Sequence, residues 1–304
     1  MNYSAPTPPS PTTRVILAQK SRRRRWLVIL LALFFVPLFC CGTSLLIYLI
    51  IPPAPVNILV LGTDGRAGEG FFSRTDSMMV VGVKPSQLRL SLLSIPRDIF
   101  IEVPGYGSQR INTVNVLGEQ AQAGSGPQLV MSAISQDFGI RLERYIRLDF
   151  NGFVKLVDAA GGLTIDVERT IIDDSYPTED GGYQYIQFDA GVQQMDGERA
   201  LIYARTRHGD DDYQRAARQQ QVISALFGKL INPLRWPAAL GVIQSSVDTN
   251  LTPWDMFTIV VPAALNRGRY EQLVVNRDYI LGSPGGNAVP NYDLLNPWIQ
   301  EHLR

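Results

Sequence analysis

The chain has 304 residues with 28 basic and 28 acidic side chains, but this neutrality is uneven: residues 1–25 carry six positives and no acid, and residues 26–51 carry no charge. The remaining 253 residues hold 22 basic and 28 acidic groups, a balance of −6, which excludes a globally basic nucleic-acid binder. Cys40 and Cys41 both lie in the uncharged run and only His208 and His302 supply imidazole, which excludes disulfides, thiol catalysis and Cys- or His-rich metal centres in the main domain.

In chain order, residues 1–21 are rich in Pro, Ser and Thr and read as a disordered tail. Trp26–Ile51 is apolar throughout and exceeds the ~20 residues a membrane-spanning helix needs. Arg22 to Arg25 precede it and place the N-terminus in the cytoplasm, so the large domain is expected outside the membrane. Trp26 and Tyr48 suit the two interfaces, and Pro37 is a candidate kink. A cleaved signal peptide would have an apolar region of only ~7–15 residues ending at a small-x-small site, which is not the pattern here. The expected organisation is a basic cytoplasmic tail at 1–25, a transmembrane helix at 26–51 and one extracytoplasmic domain at 52–304. Pro52, Pro53 and Pro55 make a short stiff exit from the membrane.

Beyond them, Val56–Leu61, Ser77–Val83 and Leu88–Ser94 read as strands. A Gly-rich loop at 62–70 separates the first two, and a turn at Lys84-Pro85-Ser86 separates the others. Residues 127–138 and 151–160 have helical periodicity, the second stopped by Gly161-Gly162, and Leu163–Val167 alternates as a strand. Residues 173–190 are acidic and aromatic, a long surface loop or hairpin. Helices are predicted at 197–203 and 215–230, with short ones near 236–246, 253–264 and 291–303. Strands alternating with helices indicate an α/β domain.

Three clusters could carry chemistry. Asp64 follows the first strand, and Arg74 and Asp76 precede the second, sharing a face if extended. Two carboxylates at neighbouring strand ends could hold Mg²⁺, which keeps several waters and binds substrate phosphates; on spacing alone, turn capping or surface ion pairing is the plainer explanation. Arg97 emerges where Pro96 ends the third strand, suited to gripping phosphate with its planar fork or to pairing with Asp98 or Glu102. Arg110 and Asn112 offer a similar donor pair. The densest cluster runs from Arg205 and Arg207 through His208 and Asp210 to Asp212, then to Arg215, Arg218 and Gln219. In the predicted helix, Gln219, Val222, Ile223 and Leu226 share one face, with Arg215 and Arg218 at its N-terminal edge. Arginines converging on a helix N-terminus make an anion site, or they pair with the local aspartates. His208 reads as an exposed loop residue. Together the clusters suggest a magnesium–arginine site for a phosphorylated, lipid-linked ligand outside the membrane.

The ordered segments LGTDGR, SRTDSMMVV, LSLLSIPRD, RINTVN, DFNGFVKLVDAAGGLTIDV, FDAGVQQMDGERALIYARTR and DDDYQRAARQQQVI resemble the LytR-CpsA-Psr family from about Val56 to about Leu230. The resemblance implies a mixed β-sheet sandwiched between layers of helices, with an apolar pocket for a prenyl chain. It implies an extracytoplasmic phosphotransferase that moves a teichoic acid, capsular or other cell-wall polysaccharide from a polyprenyl-pyrophosphate carrier onto peptidoglycan. Asp64 and Asp76 would hold Mg²⁺ against the pyrophosphate. Arg74, Arg97, Arg205 and Arg207 would clamp its oxygens, with Arg215, Arg218 and Gln219 nearby. Arg110 stands where the family often has Lys. Asp76 and Asp212 are the candidate proton acceptors. A non-catalytic binder of the same lipid-linked glycan, or a pyrophosphatase, would use the same residues without ligation.

Overall fold

A computed structural model describes residues 11–65, 71–178, 181–206, 212–230, 232–266, 270–282 and 287–304. The chain divides into two compact units, Met1–Pro52 and Pro53–Arg304.

The first unit contains α1, Pro11–Ile50. Its stretch Arg25–Ile50 is long and apolar enough to cross a membrane. At about 1.5 Å per residue these 26 residues reach roughly 39 Å, more than the ~30 Å hydrocarbon core. The helix also corrects the expectation of a disordered tail over residues 11–21, because it begins at Pro11; residues 1–10 lie outside the described residues. Proline is tolerated at a first helical position, and 12–25 contain no further Pro or Gly, so a helix nucleated in the apolar span propagates outwards.

The second unit opens with β1 (Val56–Thr63), β2 (Thr75–Lys84) and β3 (Arg89–Ile95). A hairpin of β4 (Phe100–Val103) and β5 (Gly107–Arg110) leads to α2 (Val114–Ala121), α3 (Gly126–Phe138) and β6 (Arg144–Leu148). Next come α4 (Phe150–Ala159), β7 (Leu163–Val167), the hairpin of β8 (Ile171–Pro177) and β9 (Tyr183–Phe188), and β10 (Gly191–Met195), which pairs with β7. Then follow α5 (Gly197–Arg205), α6 (Asp212–Leu230), α7 (Trp236–Ser246), β11 (Val247–Thr249), α8 (Pro253–Leu265) and β12 (Glu271–Val274). A ribbon of β13 (Ile280–Gly282) and β14 (Ala288–Pro290) precedes α9 (Tyr292–His302).

Among the described residues the main sheet is mixed, in the order β11-β6-β1-β2-β3-β12. β1 runs parallel to β6 and antiparallel to β2, while β3 is antiparallel to β2 and parallel to β12. Four strands, β1, β3, β6 and β12, therefore point the same way. Alternate residues of β1 enter opposite cores: Leu59 and Leu61 pack with α3 and α9, and Ile58 and Val60 pack with α8. Burial on both faces explains why these strands read as unbroken apolar runs. The result is an α-β-α sandwich. A third core joins α4, α5, α6 and α7 to β7 and β10 beside the sheet. There α4 and α5 approach closely at Gly197, where an added Cβ would lie 2.3 Å from the Val154 carbonyl oxygen.

The predicted strands and helices all appear, with ends shifted by a few residues, and residues 173–190 form mainly the β8–β9 hairpin. One difference bears on the site. α5 continues to Arg205, two residues beyond the predicted end at 203. A cation in the last turn suits the helix dipole, and Arg218 donates to the carbonyls of Tyr203 (3.1 Å) and Thr206 (2.5 Å) at the helix end.

Candidate active site

Because β1, β3 and β6 point together, the residues leaving their C-terminal ends cluster: Asp64, Arg97 and Asp149. Ligands commonly bind outside the carboxyl ends of strands in such sheets. The Asp64 amide donates to the Arg74 carbonyl at 3.1 Å, closing the loop between β1 and β2. This brings Asp64 near Asp76 on the second residue of β2. Burial, and then the Asp76 charge, push the Asp64 carboxyl above the usual carboxylate range. On the other side, Arg97 donates to Asp76 at 2.8 Å.

Asp76 borders an apolar cavity of about 660 Å³, a volume typical of ligand sites. Its walls come from β6 (Ile146, Leu148), α4 (Phe150, Phe153) and above all α6. Arg215, Gln219, Val222, Ile223, Leu226 and Leu230 line it along the length of that helix. From Arg215 to Leu230 the axial rise is roughly 22 Å. The charged groups gather at one end. Arg205 lies with its guanidinium carbon 4.1 Å from the centre of the Phe150 ring and donates to Tyr176 Oη at 3.3 Å. Arg215 is 6% exposed. Asp173, also buried, accepts from Thr206 Oγ1 at 2.5 Å and from the Ser175 amide at 3.1 Å. Burial pushes the Tyr176 phenol up, so it stays neutral beside Arg205.

The structure thus brings Asp76, Arg205, Arg215 and Gln219 to the cavity wall, with Asp64 and Arg97 reaching it through Asp76. Other candidates fall elsewhere. Arg218 is buried but spends its donors on the end of α5, which makes it a support of the site. Arg110 is exposed, 3.6 Å from Asp98 and 5.5 Å from the Phe100 ring, on the hairpin instead of the wall. Its partner Asp98 lies 3.5 Å from Arg97, so the pairing weighed for Arg97 does occur, alongside Asp76. The Arg74 side chain is exposed. Asp212 is the first residue of α6, but its side chain lies outside the described residues, as do Arg207 and His208. No group of three or more His, Cys, Asp or Glu side chains forms a metal cluster among the described residues. Two carboxylates that repel each other are still an adequate protein share for Mg²⁺, which takes its remaining ligands from water and phosphate.

Asp149, Phe150, Asp173 and Tyr176 went unassigned in the sequence. Asp149 had a local signal: its side chain caps α4, accepting from the Gly152 amide at 2.6 Å, and Asp before a helical run is such a cap. Tyr176 had none beyond the aromatic content of its segment.

A model of the LytR_cpsA_psr family matches residues 52–283. The regulatory protein MsrR of Staphylococcus aureus (strain COL) is 33% identical over 208 residues, covering 66% of this chain and 58% of that protein. The polyisoprenyl-teichoic acid–peptidoglycan teichoic acid transferase TagU of Oceanobacillus iheyensis is 36% identical over 172 residues, covering 56% of this chain and 50% of the relative. The chain therefore spans between half and three fifths of the length of these relatives. Among solved structures, B. subtilis TagV is similar with a TM-score of 0.65 at 25% identity, covering 82% of this chain and 97% of its own. TagT bound to LIIa-WTA has the same fold, with a TM-score of 0.61 at 19% identity over 82% of this chain and 91% of its own.

Proposed function

The chain belongs to the LytR-CpsA-Psr family, and on that premise we propose that it is a membrane-anchored, extracytoplasmic transferase. It moves a cell-wall glycopolymer from a polyprenyl-pyrophosphate carrier to peptidoglycan. The observation that carries this reading is the cavity: a long apolar chamber ending in Arg205, Arg215 and Gln219 suits a ligand with an apolar tail and an anionic head. The name of the TagU relative describes a polyisoprenyl-linked donor and a peptidoglycan acceptor. The uncharged span behind four arginines fits a cytoplasmic N-terminus with the domain outside.

In this reading the prenyl chain lies along α6 and the pyrophosphate sits among Arg205, Arg215 and Asp76. Arg205, its guanidinium carbon 4.1 Å from the centre of the Phe150 ring, presents its fork of donors to phosphate oxygens. Asp64 and Asp76 would hold Mg²⁺, which supplies charge neutralisation to the pyrophosphate when bound; their mutual repulsion and the raised Asp64 carboxyl fit a cation-binding pair. Arg97 positions Asp76 through their 2.8 Å bond. A hydroxyl oxygen of peptidoglycan attacks the glycan-linked phosphorus, and the bond from that phosphorus to the bridging oxygen breaks. Prenyl phosphate leaves, its developing charge met by the arginines, and the hydroxyl proton passes to a carboxylate, Asp76 or Asp212. Such transfer depends on positioning and charge more than on covalent help, which suits a domain without cysteine.

Mass spectrometry of lipid extracted from the membrane-purified protein tests this reading. Polyprenyl phosphate or pyrophosphate retained by the wild type and depleted in Arg205→Ala supports it. Absence of such lipid, with failure to bind added polyprenyl pyrophosphate and Mg²⁺, overturns it. With donor and peptidoglycan supplied, glycan joined to peptidoglycan indicates ligation; free phosphorylated glycan indicates a pyrophosphatase, and unchanged donor a binding protein.

A further inference from the structure

A second cavity, of about 600 Å³, adjoins the first and is polar where the first is apolar. The two share Asp149 and Val247 as wall. α4 separates them: Phe150, Phe153 and Leu156 face the first cavity, and Asn151 and Lys155, on the opposite side of the helix, face the second. The junction lies at the charged end of the first cavity, since Phe150, which follows Asp149, carries Arg205 on its ring.

The floor of the second cavity is rigid. Arg147 is 2% exposed and bonds Glu119 at 2.6 Å and Asp248 at 2.7 Å. Its guanidinium carbon also lies 4.3 Å from the centre of the Phe71 ring. Asn115 donates to the carbonyls of Phe71 and Ser73 at 2.9 and 2.8 Å, tying the Asp64–Asp76 loop to this floor. The rim is different. Asn151, Lys155 and Gln244 are exposed, and their side chains make no hydrogen bond with the described residues.

We infer that this second cavity is a saccharide site and takes the acceptor glycan of the reaction proposed above, on which the inference rests. Its chemistry selects against the alternatives. Glu119, Asp149 and Asp248 against Arg147 and Lys155 leave a balance of −1, which disfavours a phosphorylated ligand. Without an apolar chamber it has nowhere to put a lipid tail. Amides at Asn151 and Gln244, the Ser245 and Ser246 hydroxyls, an ammonium at Lys155 and the Phe71 ring match a sugar chain bearing hydroxyl and acetamido groups. An acceptor held here meets the first cavity at the wall they share, Asp149 and Val247. The same loop carries the Asp64–Asp76 pair on one side and Phe71 on the other, so both substrates bear on one structural element.

The test uses the full chain carrying its lipid-linked donor, with a soluble peptidoglycan oligosaccharide as acceptor, comparing Lys155→Ala, Gln244→Ala and the double variant. Each loses one hydrogen-bonding group, so the acceptor KM should rise roughly five- to tenfold per substitution. kcat should stay within about twofold, because binding is lost equally from ground and transition states. Retained donor lipid should match the wild type. Calorimetry with an N-acetylglucosamine oligomer should show binding by the wild type that weakens in the double variant. Wild-type acceptor KM and wild-type oligomer binding in the double variant would overturn the inference. A wild-type protein that holds no prenyl donor would instead overturn the proposed function, and the two failures remain distinct.

Discussion

Arg147→Met removes the cation on which three distant segments converge. The guanidinium is 3% exposed in its side chain and pairs with Glu119, 8% exposed, and Asp248, 29% exposed. Burial by itself raises the Glu119 carboxyl, but Arg147 and the amides of Gly124 and Gly126 outweigh it and hold the group below its usual range. Methionine fills similar volume but leaves Glu119 a buried charge with no cation, held only by the Gly124 and Gly126 amides, a loss of about 3–5 kcal/mol. For a domain of this size each kcal/mol moves the midpoint by roughly 2–4 °C, so melting should fall by about 6–20 °C. Because the folded Glu119 value is depressed, its stabilisation is present above the unfolded carboxylate value and is lost as pH falls through the folded one. The wild type should therefore lose part of its advantage over the variant in acid. Arg147→Met with Glu119→Gln should recover part of the loss at neutral pH, since the stranded charge is gone. Thermal melts of the full chain in detergent at neutral and acid pH measure all three quantities. A single variant melting within about 2 °C of wild type, or no recovery in the double variant, would refute the reasoning.

Three further outcomes are expected. Arg205→Ala should lower glycan transfer by about 10²-fold or more, the scale seen when a preorganised charge stabiliser is removed, and Arg205→Lys should restore little because Lys cannot grip two oxygens; radiolabelled transfer assays decide this, and near-wild-type turnover in both contradicts it. The raised Asp64 carboxyl means stability falls as pH rises from its unfolded to its folded value, so Mg²⁺ should raise the melting temperature more at neutral pH than in acid below that folded value, where Asp64 carries its proton. An equal shift at both pH values, or one that survives Asp64→Asn with Asp76→Asn, argues against a cation there. Gly197→Ala should destabilise by about 1–3 kcal/mol through the clash with the Val154 carbonyl and displace α5 with Arg205; an unchanged melting temperature would show that the helices can part freely.

Much of this architecture was legible because its signals are local. VNILVL and SMMVVGV are continuous apolar runs, and α6 repeats its apolar face at helical spacing. β6 was not legible. RYIRL places arginines where a core strand should be apolar, and only the acids at 119 and 248, 28 and 101 residues away, make Arg147 acceptable there. With β6 missed, Asp149 and Phe150 at its end could not be assigned to the wall. The β4–β5 hairpin was hidden for another reason, since its turn depends on positive φ at Gly105 and Gly107 in a segment too short for periodicity. Arg218 shows the limit in the site itself. Spacing places it at the edge of the buried face, where it does sit at 7% exposure. It cannot tell whether the guanidinium meets a ligand oxygen or a backbone one, and here the backbone takes it.

α6 touches the proposed ligand at both ends, Arg215 at the anionic head and Leu230 at the apolar tail, with no joint between them. The two contacts therefore share one phase. A single residue inserted near Val222 would rotate everything beyond it by about 100° and carry it about 1.5 Å further. Leu226 and Leu230 would turn off the chamber while Arg215 and Gln219 stayed in place. The helix works as a gauge of fixed scale, so the chain can evolve new heads or new tails by substitution along α6, whereas an insertion or deletion within it takes the two out of register.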